Sequence, residues 1–214
     1  IDWKLQEAAE AALDSSGWSG PGRPPETRGA CVALDVRTGE VLALASRPAY
    51  DPNAFAAGFS HEEWDKLNAP GRFPLLNRAI QSLYPPGSTF KPITLIAGLV
   101  AHKVGPGSSL GPCVGGWNFG GRFFRCWSHA GHGMTSAIRA IAVSCDVYFY
   151  QLGNMLGVDG ISEMAHLMRV PDKTGIDLPQ EKAGQIPDSK YMDKRYGPGN
   201  WSRGAALNMA IADA

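Results

Sequence analysis

Ser88 and Lys91, three residues apart, are the residues whose types and spacing best fit covalent catalysis in this sequence. A serine hydroxyl is a weak nucleophile at neutral pH and needs a base within hydrogen-bond reach. Positions i and i+3 share a helix face, so a lysine one turn after the serine can approach its Oγ. A serine at a helix N-terminus also gains a favourable field for developing negative charge. Taken alone, S-x-x-K is equally compatible with a capping serine and a surface lysine.

Three cysteines that bracket a histidine form a second chemically capable group. Cys113, Cys126 and Cys145 lie around His132, and three thiolates with one imidazole make a closed structural zinc set. Their spacing does not match a standard zinc knuckle, and His129, three residues after Cys126, competes as the ligand. One or two disulfides are the alternative, since they form outside the cytoplasm.

The composition narrows the class of protein. The 214 residues are 44% hydrophobic, enough to bury a core, and the 20 basic residues equal the 20 acidic ones. A nucleic-acid partner is disfavoured because no basic excess is present. The 26 glycines and 16 prolines predict long, shaped loops. No apolar run approaches the roughly 18 residues of a membrane span, and no signal peptide opens the sequence. We expect it to be a piece of a longer protein.

Apolar periodicity predicts the elements that position these residues. A helix from about 88 to 101 would carry Ser88 and Lys91, with Pro92 in its first turn. Two apolar runs around residues 37–39 predict a β-hairpin whose first strand contains Cys31. Further helices are predicted over 2–14, 60–68 (with a capping box at Ser60 and Glu63), 134–142, 144–157 and 159–169, and Gly/Pro-rich loops over 15–28 and 170–203.

The segment around Ser88 resembles the nucleophile segment of the penicillin-binding proteins. It reads Tyr-Pro-Pro-Gly-Ser-Thr-Phe-Lys-Pro over residues 84–92, and S-x-x-K is the first motif of these enzymes and their β-lactamase relatives. Other segments resemble the elongation-type class B branch, the penicillin-binding protein 2 group, and the resemblance runs from residue 1 to about 208. These segments are 33–35, 38–43, 50–53, 77–79, 131–133, 148–150 and 174–179.

The second family motif, S-x-D in this branch, falls at residues 144–146. The resemblance implies that Ser144 passes a proton between Lys91, Ser88 and the leaving amine, while Asp146 completes the network. A simple N-cap of the following helix is the alternative role for Ser144.

Residues 173–175 spell the third motif, K-T-G, but in the wrong place. They precede a segment that lies upstream of the true motif in the family, and two flanking prolines disfavour a strand there. We therefore expect Lys173 not to be catalytic. The true K-T-G and its strand are then absent from this sequence, so we expect this chain alone to be impaired or inactive.

The resemblance also bears on the cysteines. Some members carry a structural zinc in this region, with aspartates at the first two ligand positions. By resemblance Cys113 and Cys126 replace those carboxylates, and His132 lies in the matched Gly-His-Gly. The implied ligands are thus Cys113, Cys126, His132 and Cys145. Because Cys145 adjoins Ser144, such a zinc would fix the position of that serine.

The implied fold is α+β, of the penicillin-binding transpeptidase and serine β-lactamase type, with an antiparallel sheet, flanking helices and a helical subdomain. Residues 1–214 would form a partial transpeptidase domain. The N-terminal helix and first strands would occupy 1–50, the helical subdomain 84–170, and a loop-rich segment leading to the missing strands 171–214.

The implied activity is that of a peptidoglycan D,D-transpeptidase, with Ser88 forming an acyl-enzyme from D-Ala-D-Ala stem peptides and with β-lactams. A glycan polymerase of the elongation machinery is the implied partner. The implied location is the periplasmic face of the bacterial inner membrane, with the anchor outside this chain. A β-lactamase or β-lactam sensor remains an alternative, as does a non-catalytic, zinc-stabilised scaffold if the protein ends at residue 214.

Overall fold

The computed structural model describes residues 1–15 and 28–212, so the predicted loop over 15–28 lies almost entirely outside the described residues. The chain forms two compact units. The first comprises Ile1–Ser82 and Gly175–Lys182, and the second Leu83–Thr174 and Ala183–Ala214. The predicted subdivision of a partial transpeptidase domain stays a prediction.

The first unit is built on the predicted hairpin, which is confirmed. Strands β1 (Gly29–Leu34) and β2 (Val41–Arg47) pair antiparallel, and helix α1 (Trp3–Ser15) packs on β2. The small side chains of Ala9, Ala43 and Ala45 fill the contact, which lets the helix lie close to the strand. Cys31 is half-buried against this cluster, as predicted.

Three short helices complete the first unit: α2 (Asn53–Ala57), α3 (His61–Asn68) and α4 (Arg78–Gln81). The predicted capping box of α3 is confirmed. Ser60 Oγ accepts from Glu63 N at 3.2 Å, and Glu63 Oε2 accepts from Ser60 N at 2.9 Å, so two backbone donors at the helix start are satisfied.

The second unit is mainly helical and is centred on a long helix, α7 (Asp146–Leu167). Its buried face includes Phe149, Leu152 and Ile161. Gly153 lets a neighbouring helix approach closely, because a Cβ there would lie 2.6 Å from the Ala206 carbonyl oxygen. Around α7 lie α5 (Lys91–Val100), β3 (Gly116–Phe119), β4 (Arg122–Arg125), α6 (Ala137–Ala142), α8 (Ser189–Tyr196) and α9 (Gly204–Ile211).

Several sequence predictions for this unit need correction. Residues 87–90 form a 3₁₀ turn, and the α-helix begins only at Lys91. The two predicted helices over 144–157 and 159–169 are one helical segment, interrupted at Gly157 by non-helical backbone angles. Helix α8 lies within the predicted loop over 170–203. It was missed because it buries no residue and its sequence, Ser-Lys-Tyr-Met-Asp-Lys-Arg-Tyr, is largely polar.

Candidate active site and metal centre

The nucleophile candidate lies at the start of α5. Ser88 is exposed in the 3₁₀ turn, whereas Lys91 begins the helix with its side chain 2% exposed. Two contacts fix this end of the helix against α9: Gly87 N donates to the Ala212 carbonyl at 3.3 Å, and Thr94 Oγ donates to the Ala210 carbonyl at 2.9 Å. An accessible hydroxyl, that of Ser88, is therefore followed three residues later by the buried amine of Lys91.

Lys91 is held by the S-x-D segment. Its Nζ donates to Ser144 O at 3.0 Å, Ser144 Oγ at 2.9 Å and Asp146 Oδ1 at 2.5 Å. The three acceptors match the three donors of an ammonium group. Phe149 provides further stabilisation, since the amine lies 5.5 Å from its ring centroid.

Ser144 links the buried amine to the exposed serine. Its Oγ lies 3.0 Å from Ser88 Oγ, so a chain of hydrogen bonds runs from Lys91 through Ser144 to Ser88. We expected Lys91 to approach Ser88 directly. In the described part of the chain, the hydrogen bonds of Lys91 go to Ser144 and Asp146 instead, and the Ser144 hydroxyl bridges the two.

The backbone of Ser144 explains how it reaches both groups. Its φ is 51°, in the left-handed region that a residue with a Cβ seldom adopts. Cys145, not Ser144, is the N-cap residue of α7, so the simple capping role for Ser144 is wrong. Asp146 is the first residue of α7, where the helix dipole favours a carboxylate.

Trp127 supplies the remaining contacts of this network. Its backbone N–H donates to Asp146 Oδ2 at 2.9 Å, and its indole N–H lies 3.1 Å from the carbonyl oxygens of both Val143 and Ser144. The position of Trp127 beside Cys126 in the sequence does not reveal these contacts.

The four predicted metal ligands lie together beside this network. The ligand atoms of Cys113, Cys126, His132 and Cys145 are all within 4.8 Å of one another. His132 Nδ1 lies 3.6 Å from the sulfurs of both Cys113 and Cys126. A thiolate and an imidazole on one tetrahedral zinc are about 3.6 Å apart. The set can therefore hold a metal ion.

A tight backbone arrangement brings these residues together. Cys113 pairs with Gly133 in an isolated β-bridge, and His132 N donates to the Cys113 carbonyl at 3.0 Å. Gly131 has a φ of 78°, and a Cβ there would collide with the Cys113 carbonyl, so only glycine fits. His129, the competing ligand, is exposed and lies outside the cluster.

The electrostatics of the cluster favour neutral thiols unless a cation is present. Burial raises the pKa of the Cys145 thiol to about 12 and raises that of Cys126 as well. All four cysteines are unpaired. The Nε2 atom of His132 is buried without a hydrogen-bond partner among the described residues, and the Trp127 ring lies 5.3 Å from the imidazole, centroid to centroid.

Lys173 does not belong to a strand. Residues 173–175 have no regular secondary structure and Lys173 is exposed, as expected for a K-T-G sequence outside the catalytic machinery. The arrangement that can do chemistry is thus an exposed serine hydroxyl connected through a second serine to a buried, carboxylate-paired lysine. It can carry a proton between Ser88 and Lys91.

A family profile, "Penicillin binding protein transpeptidase domain", matches residues 29–212. The peptidoglycan D,D-transpeptidase MrdA of Acinetobacter baumannii is 38% identical over 186 residues, which are 86% of this chain and 27% of that protein. MrdA of Escherichia coli is 35% identical over 213 residues, 99% of this chain and 32% of that protein. The chain thus spans less than a third of these relatives.

Solved structures confirm the α+β transpeptidase fold. PBP2 of Pseudomonas aeruginosa in complex with WCK 5153 matches all of this chain and 44% of its own, with a TM-score of 0.86 and 36% identity. A peptidoglycan synthase complex that coordinates polymerization and crosslinking contains a chain with a TM-score of 0.85 and 38% identity, covering 98% of this chain and 37% of that one. The imipenem acyl-enzyme of penicillin-binding protein A from Mycobacterium tuberculosis matches with a TM-score of 0.78 and 30% identity, over 100% of this chain and 47% of that one.

Proposed function

The chain belongs to the penicillin-binding protein transpeptidase family, and on that premise we propose that it carries the serine machinery of a peptidoglycan D,D-transpeptidase of cell-wall elongation. The observation that carries the proposal is the continuous hydrogen-bond chain from Ser88 through Ser144 to the buried Lys91. Its substrates are stem peptides that end in D-Ala-D-Ala.

In the proposed reaction Ser88 Oγ attacks the carbonyl carbon between the two D-alanines. The Ser88 proton passes to Ser144 Oγ as the Ser144 proton passes to a neutral Lys91 amine, so each hydrogen bond of the chain reverses its direction. The same path returns a proton to the leaving D-Ala amine when the C–N bond breaks. An amine of a second stem peptide then attacks the acyl-enzyme and releases Ser88.

Asp146 and Phe149 both lie against the Lys91 amine. The carboxylate is 2.5 Å from Nζ, and the centroid of the Phe149 ring is 5.5 Å from it, so both hold the amine in place beside Ser144. The M. tuberculosis relative forms an acyl-enzyme with imipenem, which supports acylation of Ser88 by β-lactams. The synthase complex supports a glycan polymerase as partner.

The proposed location is the periplasmic face of the bacterial inner membrane, where stem peptides are crosslinked. None of the helices in the described residues has the length and apolar character needed to cross a bilayer. The location is proposed from the relationship to MrdA proteins.

Mass spectrometry after incubation with penicillin tests the nucleophile in a protein that carries the complete transpeptidase domain. We expect one penicilloyl adduct, located on the peptide that contains Ser88 and abolished in Ser88→Ala. Thr89→Ala is the matched control, because Thr89 is the adjacent exposed hydroxyl and donates to the Pro86 carbonyl at 2.6 Å, away from Ser144 and Lys91. An adduct that persists in Ser88→Ala would overturn the assignment.

We also propose that Cys113, Cys126, His132 and Cys145 hold one structural zinc ion. The donor set and the 3.6 Å spacings fit tetrahedral coordination, and a cation would offset the burial that raises the pKa of Cys126 and Cys145. Zinc would neutralise the thiolates and fix Cys145 between the two residues that bind Lys91.

Metal analysis with a thiol count tests the zinc site. We expect one equivalent of zinc, lost in His132→Ala and retained in His129→Ala, whose side chain lies outside the cluster. Absence of zinc together with two or fewer free thiols would favour the disulfide alternative and contradict the proposal.

A further inference from the structure

We propose that Trp127 is a positioning residue for the reaction, holding the Ser144–Asp146 segment in the geometry that serves Lys91; this inference rests on the proposed function. Trp127 contacts both residues of the S-x-D motif through different groups. Its backbone N–H binds the Asp146 carboxylate, and its indole N–H binds the Ser144 carbonyl.

The contacts converge on atoms that Lys91 also uses. The Ser144 carbonyl accepts from both Lys91 Nζ, at 3.0 Å, and the indole N–H, at 3.1 Å. The Asp146 carboxylate divides its oxygens, with Oδ1 facing Lys91 and Oδ2 facing the Trp127 amide. Trp127 therefore binds two of the three groups that accept from the lysine, the Ser144 carbonyl and the Asp146 carboxylate.

Ser144 needs such support because of its backbone. A φ of 51° is disfavoured for a residue with a Cβ, and surrounding contacts must hold it there. The indole N–H also reaches the preceding carbonyl, that of Val143, at 3.1 Å. One donor thus holds two successive peptide groups at the point where the chain turns from α6 into α7.

Burial does not account for the position of the indole. The Trp127 side chain is 63% exposed, so the ring adds little to the core, and its polar edge makes the ordered contacts. Its backbone follows Cys126 and its ring packs against His132, so it is also joined to the cysteine–histidine cluster. Trp127 thus links that cluster to the lysine network, in addition to Cys145, which lies between Ser144 and Asp146 in the sequence.

Trp127→Phe tests the role of the indole N–H, because it keeps an aromatic ring and the backbone donor. We expect penicillin acylation at saturation to slow about three- to tenfold, the effect of one lost hydrogen bond, with the half-saturating concentration changed less than about twofold. Trp201→Phe is the matched control: it also loses an indole hydrogen bond, to Asp193 at 2.7 Å, outside the network. It should leave acylation unchanged.

Amide hydrogen exchange provides a readout that does not need activity. In Trp127→Phe, exchange over residues 143–146 should be faster, with no change in that segment in Trp201→Phe. Unchanged exchange there, or equal acylation rates at saturation in wild type and Trp127→Phe, would overturn the positioning role. If the wild type is not acylated at all in a protein that carries the complete transpeptidase domain, the proposed function fails, and exchange alone decides the role of Trp127.

Discussion

Each unit of the chain contains a cation held by acidic side chains, in very different surroundings. In the first unit Arg47 joins α1 to β2, with its Nε 2.7 Å from Asp14 and its Nη2 3.2 Å from Glu10. Its own side chain is 16% exposed, whereas the two carboxylate side chains are 58% and 40% exposed. In the second unit Lys91 is 2% exposed and its partner Asp146 is 12% exposed.

This difference in exposure distinguishes a structural ion pair from one that belongs to a functional site. An exposed ion pair gains little because water screens it, about 0–1 kcal/mol. A buried pair must overcome a desolvation penalty of several kcal/mol per ion, so an apolar replacement often stabilises a fold as well or better. Stability alone does not explain Lys91 and Asp146, whereas the proposed proton transfer between Ser88 and Lys91 gives the pair a role.

The largest predicted difference is in activity. Lys91→Met removes the amine but keeps an apolar stem, and we expect acylation of Ser88 by penicillin to fall about 10²- to 10⁴-fold, the contribution of a positioned base. Arg47→Met should leave the acylation rate unchanged. Rates from fluorescent penicillin labelling decide the matter, and a Lys91→Met rate within about threefold of wild type would refute the role of the lysine.

Metal removal should affect the surroundings of Lys91 in the second unit but not those of Arg47 in the first. Structural zinc contributes several kcal/mol, and about 2–4 °C accompanies each kcal/mol in a domain of this size, so a chelator should lower the melting temperature by about 10 °C or more. Amide exchange should rise around Cys126 and Ser144 but not around Arg47. Cys31→Ala, outside the cluster, should retain zinc and the chelator response; full insensitivity to the chelator would contradict the zinc site.

Much of the fold was predictable because local signals agreed with the final structure. The hairpin of β1 and β2, helix α1 and the capping box at Ser60 all follow from periodicity and capping chemistry. The hairpin of β3 and β4 was missed, although Gly120 and Gly121 both have positive φ, and a Gly-Gly pair is a known signal for such a turn.

The site was only partly predictable because its geometry depends on contacts distant in sequence. Residue types and motifs identified Ser88, Lys91, Ser144 and Asp146 as site residues, and their catalytic roles remain proposals. The indirect path from Lys91 to Ser88 could not be read from i,i+3 spacing, because it depends on Ser144, 53 residues away from the lysine. The left-handed backbone of Ser144 likewise carries no sequence signature, since such conformations are found mostly in glycine.

Stability should distinguish the two ion pairs more directly. Lys91→Met alone leaves Asp146 buried without its partner and should cost about 3–5 kcal/mol in free energy of unfolding. The double variant Lys91→Met with Asp146→Asn should recover most of that loss, because no charge remains unpaired. Arg47→Met should cost less than about 1 kcal/mol, by the measure of exposed pairs. Urea unfolding measures the free energy of unfolding of all three variants. Equal losses in Lys91→Met and Arg47→Met would contradict the proposed difference between the two ion pairs.

The smallest predicted effect is the pH dependence of the exposed pair. Hydrogen bonds from Arg47 lower the pKa of Asp14, and hydrogen bonds from Gln6 and then Arg47 lower that of Glu10. The unfolded chain, with pKa values of about 3.9 and 4.3, therefore binds these protons more tightly than the folded one. The resulting stability is present above those values and is lost as pH falls through the lower folded ones.

Arg47→Gln should thus lower stability at pH 7 by less than about 1 kcal/mol, and the deficit should shrink towards pH 3. The Gln6 contribution to Glu10 should remain in the variant. Urea midpoints at pH 7, 5 and 3 measure the difference, and a deficit that grows on acidification would show that the pair does not act through these carboxylates.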